Sequence, residues 1–392
     1  MKEIILKKGK EESLGRRHPW VFSGAIARTP AGIEEGEWVE VRSFDGRLLG
    51  RGHYQIGSIT VRLMTFGDES IGNNIYEERL ANAYAMRKAL DLIRPDNNSY
   101  RLVHGEGDFL PGLVVDIYGD TAVMQAHSPG MHMERNLIAD SLVALPEAKI
   151  RNVYYKSETT LPFMARLDPQ NGYIIGRYDG NLALENGLQF NIDWLKGQKT
   201  GFFLDQRDNR RLLEHYSQGR EVLNMFCYTG GFSVYALRGG AKRVVSVDSS
   251  SKAIALTEAN VALNFPDCTA HSSEATDAFK YLDGIHEGEY DLIVLDPPAF
   301  AKHKSALRNG LTGYRRLNAK AFEKIRKGGI LFTFSCSQVV SREAFRLAVF
   351  SAAAQTGRRV RILHQLTQPA DHPVDISHPE GEYLKGLVLY VE

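Results

Sequence analysis

The chain has 392 residues, and its 48 Lys and Arg residues nearly balance 47 Asp and Glu residues, which gives a formal net charge of +1. With 43% hydrophobic and 24% charged residues, the composition is typical of a folded globular protein and excludes disordered and collagen-like chains. The length predicts about two or three domains. The near-neutral charge excludes a protein that binds nucleic acid by bulk charge alone, so any such binding must come from local patches.

The apolar runs and the cysteines of the sequence indicate in which cellular compartment the protein is expected. Neither the N-terminus nor any later stretch has an apolar run long enough for a signal peptide or a membrane span, so we expect a soluble, cytoplasmic protein with no membrane partner. The three cysteines, Cys227, Cys268 and Cys336, include no Cys-x-x-Cys pair, which excludes a disulfide framework and a structural zinc site. We expect reduced thiols, of which one is a candidate for chemistry.

The first half of the chain contains two groups of predicted elements. Short β-rich runs between Gly-containing turns at residues 37–66 predict a small antiparallel β unit, so a first domain is placed at residues 1–72. A helical pattern at about 75–93 opens a second domain, placed at residues 73–188. Its further predicted elements are strands at 100–103, 112–118, 122–126 and 153–155 and a helix near 133–145.

Strands alternate with helices in the last part of the chain, which is placed in a third domain at residues 189–392. The predicted strands are 221–226, 243–247, 292–295 and 330–335, and the predicted helices lie near 231–239, 251–263 and 311–327. This alternation predicts an α/β fold with a parallel sheet wrapped by helices. Ligands of such a sheet bind beyond the carboxyl ends of its strands.

The first two of these strands end in residues that suit a nucleoside. The first strand runs into Gly230 and Gly231 before a helix, and the second ends at Asp248, 18 positions after Gly230. Glycine permits a sharp turn and a close backbone approach, and the acid stands near the spacing at which a carboxylate binds ribose hydroxyls. The pair predicts an adenosine-type ligand, and the lack of a Gly-x-Gly-x-x-Gly pattern argues against a dinucleotide. The alternative is a tight turn followed by an exposed Asp.

The third strand delivers an acid and a rigid proline pair, Asp296-Pro297-Pro298, to the same edge of the sheet. Because proline fixes its backbone angle, the Asp296 carboxylate is held in one direction, which suits the polar edge of a planar base. Phe300 could stack on an extruded base, although ordinary packing is the commoner role of such a residue, and Asp-Pro-Pro alone could be a turn motif.

The fourth strand ends at Cys336, where the sheet meets its ligands. Most lone cysteines in cytosolic proteins are small buried hydrophobes, but this position suits a nucleophile. Its thiolate would need a nearby positive charge or a hydrogen bond to form at neutral pH. Cys227 lies in the glycine turn and is expected to line the cofactor pocket, whereas Cys268 is expected to be structural.

Basic residues are concentrated just after the proline pair. Residues 301–330 contain nine Lys or Arg residues and one acid, Glu323. A solvated helix face would explain part of this charge, but its position beside a base-sized site favours a track for phosphates. A smaller basic cluster near Arg17 is interleaved with Trp20 and Phe22, which suits single-stranded RNA, although both aromatic residues could equally belong to the core.

Taken together, the glycine turn, Asp248, the Asp-Pro-Pro motif and Cys336 resemble those of the S-adenosylmethionine-dependent RNA cytosine-5 methyltransferases, with the closest fit to the RlmI family, which modifies 23S rRNA. Further matching stretches at 17–24, 110–116, 199–207 and 370–373 extend the resemblance over nearly the whole chain. It implies a PUA-like RNA-binding domain, a central α+β linking domain and a C-terminal Rossmann-like methyltransferase domain. Large-subunit rRNA is the implied partner, with a homodimer possible and no metal.

The resemblance also implies roles for individual residues. Cys336 and Asp296 would be catalytic, Asp248 would hold the ribose, and Asp277 would lie near the adenine. The implied S-adenosylmethionine-binding set is Gln206, Asn224, Tyr228, Thr229, Gly230, Gly231, Asp248, Ser249, Asp277 and Asp296. The candidate RNA-binding residues are Arg17, Lys302, Lys304, Arg315 and Arg316.

The chemistry that follows needs one thiol. Carbon 5 of cytosine is a weak nucleophile, so a Cys336 thiolate is expected to add first to carbon 6, with Asp296 hydrogen-bonding the ring nitrogen. Many related enzymes carry a second Cys after the proline motif, where this chain has Ala299 and Phe300, so product release cannot use such a thiol. The base that removes the carbon-5 proton is not identified. Two alternatives stay open: an exocyclic amino methyltransferase, and a non-catalytic RNA-binding or ribosome-assembly factor.

Overall fold

The computed structural model describes residues 1–178 and 180–392. The chain divides into two compact units, of which the first comprises Met1–Gly187, Ile192–Leu204 and Ala370–Gly381. The second comprises Leu188–Asn191, Asp205–Pro369 and Glu382–Glu392. The finer division into three domains at residues 72 and 188 stays a prediction.

The first unit begins with a six-stranded sheet. Its strands are β1 (Lys2–Leu6), β2 (Trp20–Phe22), β3 (Ile26–Arg28), β4 (Trp38–Arg42), β5 (Leu48–Tyr54) and β6 (Ile59–Phe66), and the short helix α1 is Glu12–Gly15. Their order across the sheet is β2-β6-β5-β4-β1-β3. The predicted antiparallel pairing of β4, β5 and β6 is confirmed, whereas β1 pairs with β4 in parallel. Alternate residues of these strands, such as Val39 and Val41, face one apolar core.

A second sheet follows in the same unit. Its elements are α2 (Ile75–Ala89), β7 (Ser99–His104), β8 (Leu113–Tyr118), β9 (Thr121–Ala126), α3 (Pro129–Met133), α4 (Arg135–Val143), β10 (Asn152–Tyr155) and β11 (Gly172–Ile175). The five strands have the order β11-β10-β9-β8-β7. The predicted strands are confirmed, and the helix predicted near 133–145 corresponds to α4. The short helix α3 before it was not predicted; Ser128 caps α3 and Pro129 occupies its first turn.

A buried ion pair connects a late segment of the chain to this unit. Arg87 is fully buried, pairs with Asp108 and donates to the Asp371 carbonyl at 2.8 Å. The Asp371 carboxylate in turn accepts from the Arg101 backbone at 3.0 Å. Because a buried charge is stable only when it is paired, these contacts hold Ala370–Gly381 in the first unit.

The second unit contains most of the remaining elements. They are α5 (Arg207–Tyr216), β14 (Glu221–Met225), α6 (Gly231–Arg238), β15 (Arg243–Asp248), α7 (Ser251–Asn264), β16 (His271–Ala275), α8 (Ala278–Gly284), β17 (Leu292–Leu295), α9 (Leu307–Lys324), β18 (Gly329–Ser335), α10 (Arg342–Thr356), β19 (Val360–Leu366) and β20 (Lys385–Val391). The strands β12 (Leu182–Glu185) and β13 (Leu188–Asn191) lie where the chain passes between the units.

The seven-stranded sheet of this unit has the order β16-β15-β14-β17-β18-β20-β19. The first five strands in this order are parallel, and β20 runs antiparallel to β18. β17 and β18 are buried along their whole length, which explains their continuous apolar sequences. The strand order reverses between β14 and β17, and ligands of such sheets bind beyond the carboxyl ends of the strands at this point. The predicted α/β fold is thereby confirmed.

Within residues 1–178 and 180–392, none of the helices combines the length and the apolar character that a membrane crossing requires.

Candidate active site

The turn between β14 and α6 has an unusual backbone. Phe226, Tyr228 and Gly230 have φ angles of 58°, 47° and 76°, in the left-handed region that costs energy for residues other than glycine. Side chains of α7 stabilise it, because Thr257 Oγ1 donates to the Tyr228 carbonyl at 2.9 Å and Asn260 Nδ2 donates to the Thr229 carbonyl at 2.9 Å. The turn is therefore fixed by its neighbouring helix.

Neighbouring side chains lie close to two glycines in this turn. A Cβ on Gly230 would lie 2.6 Å from Thr257 Cγ2, and one on Gly231 would lie 3.0 Å from Arg210 Cδ. Gly230 also precedes the first turn of α6. Glycine is thus required at Gly230 both by packing and by its positive φ.

Asp248 is held directly beside this turn. One oxygen of its carboxylate accepts from the Tyr228 backbone at 3.1 Å, and the other accepts from the Ser250 backbone at 2.9 Å. The side chain is half-buried at the end of β15, and Ser249 next to it is exposed. The structure therefore brings Tyr228 and Asp248 together in one fixed arrangement.

Asp296, at the end of β17, contacts a buried glutamine. Gln206 Nε2 donates to Asp296 Oδ2 at 3.0 Å, while Gln206 Oε1 accepts from Asn209 Nδ2 at 2.6 Å. Gln206 and Asn209 are each 3% exposed. Because its oxygen is already engaged, the Gln206 amide can present only its nitrogen to Asp296. Sequence reasoning missed Asn209, although the Gln-x-x-Asn spacing at the start of α5 was a usable signal.

Cys336 follows β18 and faces the proline motif. Its Sγ lies 3.9 Å from the Pro297 carbonyl oxygen, and the residue is half-buried. β17 and β18 are neighbours that pair in parallel, so both catalytic candidates, Asp296 and Cys336, stand at the same edge of the sheet. Tyr314 lies close to both: burial raises the pKa of its phenol to about 12, and the charges of Cys336 and Asp296 act in the same direction.

A buried lysine that was not predicted from the sequence lies close to Cys336. Lys385 is 7% exposed at the start of β20, and its Nζ donates to the Ser337 carbonyl at 2.5 Å. Burial lowers the pKa of Lys385 to about 8, whereas the negative charge of Cys336 acts to raise it. A lysine at the start of an apolar strand is usually solvated, so the sequence held no signal for this position.

Two predicted cofactor residues have other partners in the structure. Asn224 is 1% exposed and donates to Ser233 Oγ at 2.9 Å, so its side chain lies in the interior rather than at the strand ends. Asp277 is exposed after β16 and caps α8 by accepting from the Lys280 backbone at 3.0 Å. A cofactor contact stays a prediction for each.

The other two cysteines differ from Cys336. Cys227 is 6% exposed, its Sγ lies 3.6 Å from Thr257 Oγ1, and burial raises the pKa of its thiol to about 12. It packs against α7 and is not a thiolate at neutral pH. Cys268 is half-buried in the loop between α7 and β16.

The basic residues of segment 301–330 differ in exposure and in their partners. Lys302, Lys304, Arg315 and Arg316 are exposed. By contrast, Lys320 pairs with Asp283, Arg326 pairs with Asp291, and Lys324 donates to the Ile285 carbonyl. Charge available to a partner is therefore confined mainly to the exposed residues.

Three aromatic candidates have defined surroundings. The centroid of the Phe300 ring lies 4.7 Å from that of Tyr314. Phe300 therefore packs against a neighbouring ring, which was the alternative to stacking on a base. In the first unit, the Trp20 indole donates to Glu106 at 2.7 Å, whereas Phe22 is exposed.

Arg17, the RNA-binding candidate of the first unit, is exposed. Its guanidinium lies 3.6 Å from Glu69 and 5.7 Å from the centre of the Phe66 ring. The side chain therefore stands beside an aromatic ring at the surface of this unit.

Comparison with known proteins identifies the class of enzyme to which this chain belongs. Residues 166–385 match the model of the S-adenosylmethionine-dependent methyltransferase family, and residues 4–66 match the model of a PUA-like domain. The chain is thus an S-adenosylmethionine-dependent methyltransferase with an N-terminal PUA-like domain.

Relatives that match the full length of the chain assign it to one family within this class of methyltransferases. The chain is 42% identical to the ribosomal RNA large subunit methyltransferase I of Tolumonas auensis, across 98% of both chains. It is 39% identical to the protein of the same name from Escherichia coli (strain SMS-3-5), across 99% of both. The chain belongs to the ribosomal RNA large subunit methyltransferase I family. Its fold is also similar to the crystal structure of SMU.776 complexed with SAH, with a TM-score of 0.85 at 23% identity over the whole of both chains.

The residues at the sheet edge fit the cofactor of this family. Asp248 ends β15 and Asp296 directly follows β17, and these two half-buried carboxylates are of the chemical type that ribose hydroxyls and a cationic sulfonium require. S-adenosylmethionine is the cofactor of this methyltransferase.

Proposed function

We propose that this chain transfers a methyl group from S-adenosylmethionine to carbon 5 of a cytosine in 23S rRNA through a covalent Cys336 adduct. The observation that carries the proposal is the distance of 3.9 Å between Cys336 Sγ and the Pro297 carbonyl, next to Asp296. This contact joins a half-buried thiol to the backbone of the residue that follows Asp296, which supports a site in which both side chains act on one base. The rRNA substrate is supported by the names of the relatives, which are about 40% identical over the full chain.

In this mechanism the protein adds a thiolate to the base, stabilises the charge that develops on the ring, and finally releases the methylated base. Cofactor binding supplies an electrophilic methyl group on a sulfonium. The Cys336 thiolate forms a bond to carbon 6 of the base, which makes carbon 5 nucleophilic enough to take the methyl group. Asp296, when protonated, donates to the ring nitrogen as negative charge develops there. A base then takes the carbon-5 proton, the bond between carbon 6 and sulfur breaks, and the thiolate is restored.

The set of cysteines supports a single-thiol mechanism. Cys227 is buried with a raised pKa, and Cys268 lies in the loop before β16. Cys227 and Cys336 both follow strands that end at the proposed catalytic edge, and of these two only Cys336 is half-buried rather than buried. The segment after the proline pair, Ala299-Phe300, offers no second sulfur.

Exposed basic residues support an RNA substrate. Lys302 and Lys304 follow the Asp-Pro-Pro motif within a few residues, and Arg315 and Arg316 lie on α9. Lys and Arg side chains that are free to move in solvent neutralise phosphates and release counterions. A homodimer stays a prediction, which light scattering of the purified protein would test.

Transfer of labelled methyl groups to rRNA, followed by nucleoside analysis, tests the proposal. The expected product is 5-methylcytidine, and Cys336→Ala is expected to lower the rate by at least about 10³-fold because the covalent nucleophile is lost. Cys268→Ser is the matched control and should keep full activity. Calorimetry should show that Cys336→Ala still binds S-adenosylmethionine.

Other outcomes would identify the alternatives. An exocyclic methylamino product that persists in Cys336→Ala would indicate amino methylation. An absence of labelled RNA under conditions in which the cofactor binds would indicate a non-catalytic RNA-binding factor.

A further inference from the structure

The buried lysine beside Cys336 has no ordinary counter-ion. Lys385 pairs in register with Ser335, is 7% exposed, and donates to the Ser337 carbonyl at 2.5 Å. In the described part of the chain, no carboxylate lies within ion-pair distance of its Nζ. Burying an ammonium group is costly unless another charge compensates for it, so an anion is expected close by.

The groups that face Lys385 leave one candidate for this anion. Arg342, Glu382 and, when ionised, Cys336 are the groups whose charges reach the ammonium. Arg342 and Glu382 pair with each other at 4.0 Å, so their effects on the lysine partly offset. Cys336 remains: it lies between Ser335, which pairs with Lys385 across the sheet, and Ser337, whose carbonyl accepts from the Lys385 Nζ, and a thiolate there would oppose the effect of burial on the pKa of Lys385.

The surroundings of Cys336 need a cation for the same reason. Tyr314 on α9 lies near both Cys336 and Asp296, and Asp296 follows β17, which pairs with β18. Tyr314 is neutral because its pKa is raised to about 12, and the Asp296 carboxylate would repel a thiolate. A thiol beside a carboxylate ionises at neutral pH only if a positive charge compensates. Lys385 comes from the opposite neighbour of β18, which is β20.

We propose that the ammonium group of Lys385 is the counter-ion that holds Cys336 as a thiolate, which makes Lys385 a positioning residue for the nucleophile. The catalytic meaning of this pair rests on the proposed cytosine-5 mechanism. The ion pair itself is a property of the protein without RNA and can be measured separately.

Alkylation of the full-length protein across a pH series measures the pair directly. Iodoacetamide is added at several pH values, and mass spectrometry of the digest follows the Cys336 peptide. In the wild type, the midpoint of alkylation is expected below the value of about 8.5 that is usual for a cysteine thiol. Lys385→Met should raise this midpoint by more than about one pH unit, so that alkylation near pH 7 slows about tenfold.

Two variants and one internal thiol serve as controls. Lys385→Arg keeps the positive charge and should hold the midpoint close to that of the wild type. Lys327→Met removes an exposed lysine of the same unit and should change nothing. The Cys268 peptide in each digest reports any general change in thiol reactivity.

A wild-type midpoint at or above about 8.5 would overturn the proposal, as would equal midpoints in the wild type and Lys385→Met. If Lys385→Met fails to fold, the wild-type measurement alone decides, together with thiolate absorbance compared between the wild type and Cys336→Ser. In methylation assays, Lys385→Met should move the pH of half-maximal kcat upward, whereas a merely structural loss would lower kcat equally at every pH. A low wild-type midpoint without 5-methylcytidine formation would instead contradict the proposed function and leave the ion pair intact.

Discussion

The Gln206 side-chain amide donates to Asp296 across 3.0 Å, and its orientation is set by Asn209 on the next turn of the chain. All three residues are at least half-buried, so water does not easily replace these bonds. Asp296 therefore presents a fixed direction to any ligand at the end of β17. Positioning of this kind lowers the cost of reaching the reactive geometry.

Asn209→Ala tests this arrangement. Without the Asn209 donor, the Gln206 amide can rotate and turn its oxygen toward the carboxylate. We expect kcat for methyl transfer to fall about tenfold, in line with the loss of one oriented hydrogen bond to a charged group. Steady-state kinetics measure the effect, and Gln355→Ala, which changes an exposed residue of α10, is the control. Unchanged kcat in Asn209→Ala would show that Asp296 does not depend on this orientation.

Asp248→Ala is expected to weaken S-adenosylmethionine binding by at least about tenfold. The substitution removes the proposed acceptor for the ribose hydroxyls and leaves the Tyr228 backbone amide without its partner. Titration calorimetry gives the affinity, and Asp267→Asn in an exposed loop is the control. An affinity equal to that of the wild type would remove Asp248 from the cofactor site.

Gly230→Ala should destabilise the glycine turn. The new Cβ would meet Thr257 Cγ2 at 2.6 Å, and the backbone φ of 76° is unfavourable for alanine. We expect the free energy of unfolding to fall by about 1–3 kcal/mol, measured by urea denaturation. Gly284→Ala is the matched control, because a Cβ there meets no atom within 4 Å. Equal stability of the two variants would show that the turn relaxes without cost.

Charge reversal on α9 tests the RNA surface. Arg315→Glu and Arg316→Glu should each weaken RNA binding and lower the slope of log affinity against log salt concentration by about one per lost phosphate contact. Arg361→Glu changes net charge equally but lies on β19, so it should leave the slope unchanged. An unaltered slope in the α9 variants would make that face an ordinary solvated surface.

Much of the catalytic edge was predictable from the sequence because β15, β17 and β18 are mainly apolar runs that end at or just before a polar or reactive residue. Asp248, Asp296 and Cys336 all follow such runs, and the structure places each at a strand end. Lys385 was not predictable, because its position depends on an antiparallel strand that pairs with β18 only after a long excursion. Asn209 was missed although it stands three residues after Gln206, because this spacing shows that the two side chains can meet but not which atom of the amide faces Asp296.

The excursion of the chain between β19 and β20 limits how the protein can be divided. The chain leaves the seven-stranded sheet, contributes Ala370–Gly381 to the first unit, and returns within four residues at Lys385. A fragment that starts near residue 189 keeps Asp371 but lacks Arg87 and Arg101, which bind it. Such a fragment would therefore lose the hydrogen bonds that Arg87 and Arg101 make to Asp371. β20, the strand of this sheet that carries Lys385, begins only after the chain has passed through the first unit, which consists mainly of residues 1–187.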